Sequence, residues 1–413
     1  MERPGSDSTV TLAQGPSGLT MVHRHCPGVS EYCGVTANVG SRDEHNPEEF
    51  GLAHFVEHTI FKGTHRRSDS YVINRMEQVG GELNAFTTKE ETTVYAAMPA
   101  GNWRRATDLI AELVTESTFP AAKIDREREV IADEIDSYLD SPADSVFDLY
   151  DEMMFEGSSM AHNILGTKQS VQRISSEMCR DFLVSHFTAD NMVFFYLGPE
   201  PAEKVFRTAS GAFAGVPATW ARTPRVSPHR CAPECRRLST DNHQSHTVMG
   251  TTVGGLHSPD RFATALAVNI LGGPGMNSRL NVSLRERRGL VYTVDASTAL
   301  YDDFGLVTIY FGCDHDDVAR CTDLCRRELE RLASDPLPLR TLAAHRRQFI
   351  GQATLGSDNK EQMAISTGRA ILHRLPAPSA AHTAAALNAI TPDDLRRAAT
   401  VIAEAPLRSL SLY

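Results

Sequence analysis

The sequence predicts an α+β fold made of two homologous domains, each a mainly antiparallel sheet packed with helices. Two observations carry this prediction. Strand-like runs occur in adjacent pairs, most clearly within residues 82–98, where a polar turn at 88–91 separates two runs. The order strand, helix, glycines, helix, two strands and long helix then recurs, which indicates a diverged duplication of about 200 residues per copy.

The first copy is predicted from apolar residues that alternate in strands and recur at three- and four-residue spacing in helices. Two glycines at 80–81 end one of these helices, because glycine readily terminates a helix. Strands are predicted at residues 10–12, 19–23, 33–39, 82–87, 92–98 and 193–197. Helices are predicted at residues 51–61, 70–79, 103–117 and 124–139.

A linker is expected between the copies, because residues 201–240 are rich in Pro, Ala and Arg, and the prolines at 217, 224, 228 and 233 interrupt any long element. The predicted domains are therefore 1–200 and 241–413. In the second, strands are predicted at residues 246–252, 290–300 and 305–312. Helices are predicted there at residues 260–271, 277–288 and 317–333.

Composition excludes several classes of partner. The 413 residues include 41 Lys and Arg against 52 Asp and Glu, a net charge of −11 that argues against nucleic acid as a partner. No run of 18 apolar residues occurs, which argues against a membrane span. The N-terminal segment lacks the apolar stretch of a secretory signal, and eight cysteines are sparse in this length. We therefore expect reduced thiols and a cytoplasmic location.

The most informative segment is the H-x-x-E-H motif within residues 51–61. Side chains four apart lie on one helix face, so His54 and His58 can offer two imidazoles to one metal ion. Two imidazoles suit zinc, which in a catalytic site takes a third ligand and keeps an open position. Glu57 lies on the same side, and a carboxylate that does not bind metal can act as a general base on water. The alternative is an amphipathic helix with core or surface histidines.

The third ligand must come from another segment, and the acidic helix at residues 125–136 is the strongest candidate. Glu127 and Glu134 are seven residues apart and share one face of that helix. A solvated acidic helix is the alternative interpretation. Physical reasoning on the residues alone does not choose between the two glutamates.

Three segments together resemble the M16 family of zinc peptidases, which carries an inverted H-x-x-E-H motif. They are HFVEH at 54–58, GGELNAFTT at 80–88 and EREVIADE at 127–134. The resemblance implies that Glu134 is the third zinc ligand, that Glu127 is an auxiliary catalytic glutamate, and that Asn84, Ala85, Phe86 and Thr87 form an edge strand that binds substrate. The resemblance covers essentially the whole chain. The length of the chain is similar to that of the short bacterial members of the family.

The second half extends the resemblance with GGPGMNSRL at 272–280 and RERRGLVY at 285–292. The family pattern implies that Arg285 and Tyr292 contact the substrate backbone. Asn277 stands where the family commonly has serine. No second H-x-x-E-H occurs, so one zinc ion per chain is expected.

The resemblance implies a zinc-dependent endopeptidase that cleaves extended, unfolded peptides. In two-chain relatives the partners enclose a chamber, so we expect a homodimer with a clamshell chamber and no nucleic-acid or membrane partner. Two alternatives are a non-catalytic scaffold subunit, or a subunit that is active only with a different partner chain. His162 precedes a loop similar to one in the family, and the sequence alone gives it no role.

Overall fold

The computed structural model describes residues 9–219, 222–228, 232–240 and 242–413. The strands are β1 (Val10–Gln14), β2 (Thr20–His25), β3 (Ser30–Ala37), β4 (Glu82–Thr87), β5 (Thr92–Pro99), β6 (Met192–Gly198), β7 (Glu234–Leu238), β8 (Ser245–Gly254), β9 (Val291–Leu300), β10 (Phe304–Cys313) and β11 (Arg408–Leu412). The helices are α1 (Leu52–Thr59), α2 (Asp69–Glu77), α3 (Trp103–Glu116), α4 (Ala121–Leu139), α5 (Pro142–Met154), α6 (Lys168–Val171), α7 (Ser176–His186), α8 (Ala202–Ala212), α9 (Arg261–Gly272), α10 (Val318–Ser334), α11 (Leu339–Gly356), α12 (Lys360–Leu372), α13 (Ala380–Ala389) and α14 (Pro392–Glu404).

The chain forms two compact units, each assembled from separate stretches of sequence. The first unit lies within Met1–Asp136, His162–Arg225 and Ser357–Ser379. The second lies within Ser137–Ala161, Val226–Gly356 and Ala380–Tyr413. Over the residues that the structure describes, each unit contains one sheet and its own buried apolar core.

The sheet of the first unit has the strand order β1-β2-β6-β3-β5-β4. Strands β2 and β6 pair in parallel, and the remaining neighbours are antiparallel. Helices α1, α3 and α7 contribute apolar residues to the main core of this unit, together with inward-facing strand residues such as Val35 and Phe194. Strand β4 is the last strand in this order, so it lies at an edge of the sheet. It follows shortly after the end of α2 in the sequence.

The sheet of the second unit has the order β7-β11-β8-β10-β9, with β7 and β11 parallel and the remaining pairs antiparallel. This is the order and direction of β2-β6-β3-β5-β4 in the first sheet. Among the described strands, β1 is added beyond β2 in the first sheet. The shared topology confirms the predicted α+β fold of two related, mainly antiparallel domains.

Each unit includes a helix from the other half of the sequence. Helix α12 packs on β6 and β3 of the first sheet, where Ile365 shares an apolar cluster with Phe195. Helix α5 packs on β11 and β8 of the second sheet, where Val146 lies in a cluster with Leu410. The compact units therefore do not follow the contiguous ranges 1–200 and 241–413 expected from the sequence, because these two segments change places.

Every predicted strand and helix has a counterpart in the structure. No element was predicted within residues 140–192 or after residue 333, where the structure has α5, α6, α7, α11, α12, α13, α14 and β11. Residues 277–288, predicted as a helix, contain a π-helical stretch at Asn281–Glu286, where hydrogen bonds span five residues. The expected linker, 201–240, contains α8 and β7, and part of it lies outside the described residues. Helix α5 was not predicted, because its acidic and polar residues conceal the apolar face that packs on the second sheet.

Two negative expectations can be compared with the described residues. None of the helices that the structure describes is long and apolar enough to cross a membrane. The seven described cysteines are free thiols, and the eighth, Cys231, lies outside the described residues.

Candidate metal centre

Helix α1 carries the H-x-x-E-H motif and is held by its apolar face. Leu52, Phe55 and Val56 are buried in the core of the first unit, which fixes the rotation of the helix about its axis. The helix starts after Gly51, whose φ of 90° is favourable for glycine. His54 is buried near the start of the helix and His58 is half-buried near its end. Their ring centroids are 4.5 Å apart, so the two imidazoles share one face.

Glu134 of α4 completes a group of three potential metal ligands. Its Oε2 lies 3.9 Å from Nε2 of His54 and 3.7 Å from Nε2 of His58. One ligand atom from each side chain lies within 4.8 Å of the other two. Among the described residues, no second group of three or more His, Cys, Asp or Glu side chains is this compact. The structure thus brings together the two histidines and the glutamate that the resemblance selected.

The three side chains fit a zinc ion by chemistry and spacing. Two imidazole nitrogens and one carboxylate oxygen form a common catalytic zinc set, and tetrahedral bonds of about 2.1 Å place ligand atoms ~3.4 Å apart. The 3.7 and 3.9 Å separations exceed this value slightly, which side-chain rotation can accommodate. Burial lowers the pKa of His54 to about 3, so its ring is neutral and offers a lone pair.

Glu127 contacts the other nitrogen of one ligand instead of joining the group. Its Oε1 accepts a hydrogen bond from Nδ1 of His58 at 3.0 Å. Its Oε2 lies 2.8 Å from Nζ of Lys62. Burial raises the pKa of Glu127, but the hydrogen bonds from His58 and Lys62 outweigh burial and lower it overall. The carboxylate is therefore ionised, and it orients the His58 ring so that Nε2 faces Glu134.

Glu57 lies on the same helix face as the ligands but is not part of the compact group. Burial raises the pKa of Glu57, and Thr87 and His58 partly oppose the rise. Among the described residues, the buried hydroxyl of Thr87 has no hydrogen-bond partner. Thr87 lies close enough to Glu57 to act on its carboxylate electrostatically. A carboxylate with a raised pKa beside a metal group is suited to accept a proton and release it again.

The predicted edge strand is confirmed as an edge of the sheet. Strand β4 contains Asn84, Ala85, Phe86 and Thr87, and in the described residues it pairs on one side with β5. Thr88 follows the strand in the turn. Because Thr87 ends the strand beside Glu57, the open edge leads to the metal group. An unpaired edge offers backbone donors and acceptors to a further strand.

Arg285 and Tyr292 belong to the second unit, whereas the metal group belongs to the first. Arg285 is exposed in the π-helical stretch, and Tyr292 is exposed near the start of edge strand β9. The hydroxyl of Tyr292 lies 3.3 Å from Oδ1 of Asp314, whose charge raises the pKa of the phenol. Their expected contact with substrate stays a prediction.

Lys62 contacts this group through Glu127, and sequence reasoning missed it. It lies four residues after His58, at the spacing that brings side chains together along a helix. Helix α1 ends at Thr59, however, so the spacing alone gave no reason to expect a contact with α4.

Comparison with protein families identifies both halves of the chain. Residues 20–168 match the model "Insulinase (Peptidase family M16)". Residues 173–349 match the model "Peptidase M16 inactive domain". The metal group lies within the first match, and Arg285 and Tyr292 lie within the second.

Relatives that match most of the chain are named as zinc proteases. An "uncharacterized zinc protease" of Streptomyces coelicolor is 33% identical over 95% of this chain and 86% of its own length. Another from Mycobacterium tuberculosis is 30% identical over 93% of this chain and 88% of its own.

Solved structures agree in fold at low sequence identity. A protease from Helicobacter pylori has a TM-score of 0.90 at 16% identity and covers 98% of this chain and 99% of its own. A Pseudomonas fluorescens protein described as a peptidase M16 inactive domain has a TM-score of 0.91 at 17% identity. The match covers 98% of this chain and 97% of that protein. From the matches to both family models and to relatives along nearly its whole length, the chain belongs to the M16 family of zinc proteases.

Proposed function

We propose that this protein is a zinc-dependent endopeptidase that cleaves extended, unfolded peptides. The observation that carries the proposal is the convergence of His54, His58 and Glu134 on one point, with the carboxylate of Glu57 beside it. Membership of the M16 family and the names of the relatives support the same chemistry. His54, His58 and Glu134 would hold one zinc ion per chain.

Each side chain in the group has a distinct task in this proposal. When bound, zinc supplies Lewis-acid chemistry that acidifies water and polarises a carbonyl oxygen. Glu57 takes a proton from the attacking water and delivers it to the leaving nitrogen of the peptide. Glu127 holds the ring of His58 in the orientation that directs Nε2 toward the ion. Lys62 keeps the charge of Glu127 compensated.

Substrate binding is assigned to the open edge of the first sheet. An extended peptide added to β4 would form backbone hydrogen bonds with Asn84, Ala85, Phe86 and Thr87, and its chain would run toward Glu57. Recognition of this kind depends on backbone groups, so it tolerates many sequences and requires an unfolded segment. Arg285 and Tyr292 would bind the same substrate backbone.

The direct test replaces the proposed general base by its neutral isostere. A Glu57→Gln protein should bind zinc as the wild type does and should lose nearly all cleavage of a quenched fluorescent peptide. Glu129→Gln is the matched control, because Glu129 is an exposed glutamate on α4. Retained cleavage by the Glu57→Gln protein would eliminate Glu57 as the base.

We further propose that two copies of this chain form the active peptidase as a homodimer enclosing a chamber, with Arg285 and Tyr292 of one subunit serving the metal group of the other. A Glu57→Gln protein mixed with an Arg285→Ala protein should then recover part of the activity. Gel filtration of the chain alone distinguishes a homodimer from a requirement for a different partner. Absence of recovery, with subunit exchange verified, would contradict the shared site.

A scaffold subunit remains the competing function. A scaffold has no need of a complete ligand set and base, and here all four side chains are present. The match to a model described as inactive concerns residues 173–349, which do not include the metal group. A chelator that abolishes peptide cleavage by the purified chain would distinguish the enzyme from the scaffold.

A further inference from the structure

The start of helix α1 has no side chain of its own to cap it. The residue before the helix is Gly51, and the first backbone N–H groups of any helix have no partner within the helix. Glu44, seven residues earlier and 2% exposed, supplies the missing acceptors. Its Oε2 accepts from the backbone N–H of Gly51 at 2.9 Å, and its Oε1 accepts from Ala53 at 2.7 Å.

Glu44 is in turn held by His162. Nε2 of His162 lies 2.9 Å from Oε2 of Glu44, and both side chains are buried. The imidazole stacks on the ring of Phe50, with centroids 3.8 Å apart and planes 4° from parallel. The backbone carbonyl of His162 accepts a 2.6 Å hydrogen bond from Nζ of buried Lys89, in the turn after β4. We call Glu44, Phe50, Lys89 and His162 the α1 clamp.

The loop that carries His162 also packs directly against the backbone at the start of the helix. A Cβ atom on Gly51 would lie 2.6 Å from the carbonyl oxygen of Leu165. A Cβ atom on Gly166 would lie 2.2 Å from the carbonyl oxygen of Phe50. Both glycines have positive φ angles, so this contact requires glycine on each side. The close approach leaves no room for an ordinary capping side chain at position 51.

The two histidines on α1 are oriented by different means. The ring of His58 is fixed by Glu127. Within the described part of the chain, the buried Nδ1 of His54 has no hydrogen-bond partner. The orientation of His54 therefore depends on the backbone of the first helical turn, and Ala53, the residue before it, donates to Glu44.

We propose that Glu44 and His162 are positioning residues that fix His54 for metal binding by holding the first turn of α1. The inference rests on the proposed function, since it deepens the account of the same metal group. Lys89 lies in the turn at the end of edge strand β4 and donates to the carbonyl of His162, so it connects this strand to the residues that hold α1. His162, which sequence reasoning left without a role, gains one from this contact.

Glu44 and His162 hold the start of α1 through hydrogen bonds more than through net charge. Burial raises the pKa of Glu44, against the effect of the two backbone N–H groups and Lys89. Burial likewise lowers the pKa of His162 to about 4. A neutral side chain of the same shape should therefore preserve part of the clamp, and an alanine should preserve none of it.

The experiment measures zinc affinity and local backbone protection of full-length variants. Glu44→Ala and His162→Ala should each raise the zinc dissociation constant about tenfold. This is the lower end of the loss caused by removing a direct partner of a metal ligand, because the α1 clamp acts on His54 through the helix backbone. Glu44→Gln and His162→Gln should stay closer to wild type. In the metal-free proteins, amide exchange at Ala53 should be faster in both alanine variants.

His23→Ala is the matched control, because His23 is also a buried histidine of the first unit and lies 2.7 Å from a backbone carbonyl, that of Glu200. It should leave zinc affinity unchanged. Equal weakening by His23→Ala, or a folded His162→Ala protein with wild-type zinc affinity, would overturn the proposal. If Glu44→Ala fails to fold, His162→Ala decides. A wild-type protein that binds no zinc would instead refute the proposed function.

Discussion

Nδ1 of His58 donates a hydrogen bond to Oε1 of Glu127 across 3.0 Å, and this contact decides which nitrogen of the ring is free for a metal. With the proton held on Nδ1, the lone pair is on Nε2, which faces Glu134 at 3.7 Å. The two glutamates that share a face of α4 therefore have different tasks. One completes the ligand group and the other orients a ligand.

Loss of the orienting contact should weaken metal binding without abolishing it. We expect Glu127→Ala to raise the zinc dissociation constant about tenfold, because His58 would lose its fixed ring orientation. The measurement is competition for zinc against a chromophoric chelator.

Glu129→Ala is the control for this variant, since Glu129 is exposed on the same helix. Equal zinc affinities for Glu127→Ala and wild type would contradict the orienting role. Complete loss of zinc would assign Glu127 to the ligands themselves.

Lys62 should act through Glu127. Its Nζ lies 2.8 Å from the carboxylate, and Lys62→Met keeps the apolar stem while removing the charge. We expect a smaller rise in the zinc dissociation constant than for Glu127→Ala, and little further change when both substitutions are combined. Lys123→Met, which breaks the Lys123–Asp69 pair of the same unit, is the control. Additive effects of Lys62→Met and Glu127→Ala would show that Lys62 acts independently.

The sequence determined the ligand site only in part. His54, Glu57 and His58 are local to one helix, so their spacing sufficed to bring them together. The choice between Glu127 and Glu134 needed the family resemblance, because helical periodicity cannot say which of two residues on one face reaches a neighbouring helix.

Contacts between distant segments were beyond sequence reasoning. Glu44 and His162 are separated by 118 positions, and no periodicity connects them. The exchange of α5 and α12 between the two units was missed for the same reason.

A peptide substrate that binds along the edge of β4 should need the backbone N–H group at every second residue. Only alternate N–H groups of a strand point toward a given neighbour. We expect single N-methylation along a peptide substrate to reduce kcat/KM at alternate positions near the cleaved bond, by about tenfold for each lost hydrogen bond. The measurement is a series of singly methylated peptides. Uniform tolerance of methylation, or sensitivity at every position, would contradict binding as an added strand.

A buried ion pair should make stability depend on pH. Nε2 of His373, after α12, lies 2.7 Å from Oε1 of Glu91. Burial lowers the pKa of His373, but the hydrogen bond to Glu91 outweighs it and raises the pKa above 6.5. The stabilisation from His373 is therefore complete below pH 6.5 and is lost as pH rises through the folded-state pKa.

Glu91 sets the acidic limit of the pH range in which this ion pair stabilises the fold. Burial raises its pKa, but the hydrogen bond from His373 and the charge of Arg369 lower it below 4.5, so its contribution is lost as pH falls through the folded-state pKa. The thermal midpoint of His373→Gln should fall further below wild type at about pH 5.5 than at about pH 9. His257→Gln, from an exposed pair with Asp302, should show a smaller difference. A deficit for His373→Gln that does not vary with pH would contradict the ion pair.

The central claim is that three side chains from α1 and α4 hold one zinc ion. Elemental analysis of freshly purified protein, before and after chelation and zinc addition, tests it most directly. The account predicts one zinc per chain in the wild type, with parallel loss and recovery of peptide cleavage, and little zinc in a folded His58→Ala or Glu134→Ala protein. A wild-type protein without stoichiometric metal, whose activity zinc does not restore, would contradict it.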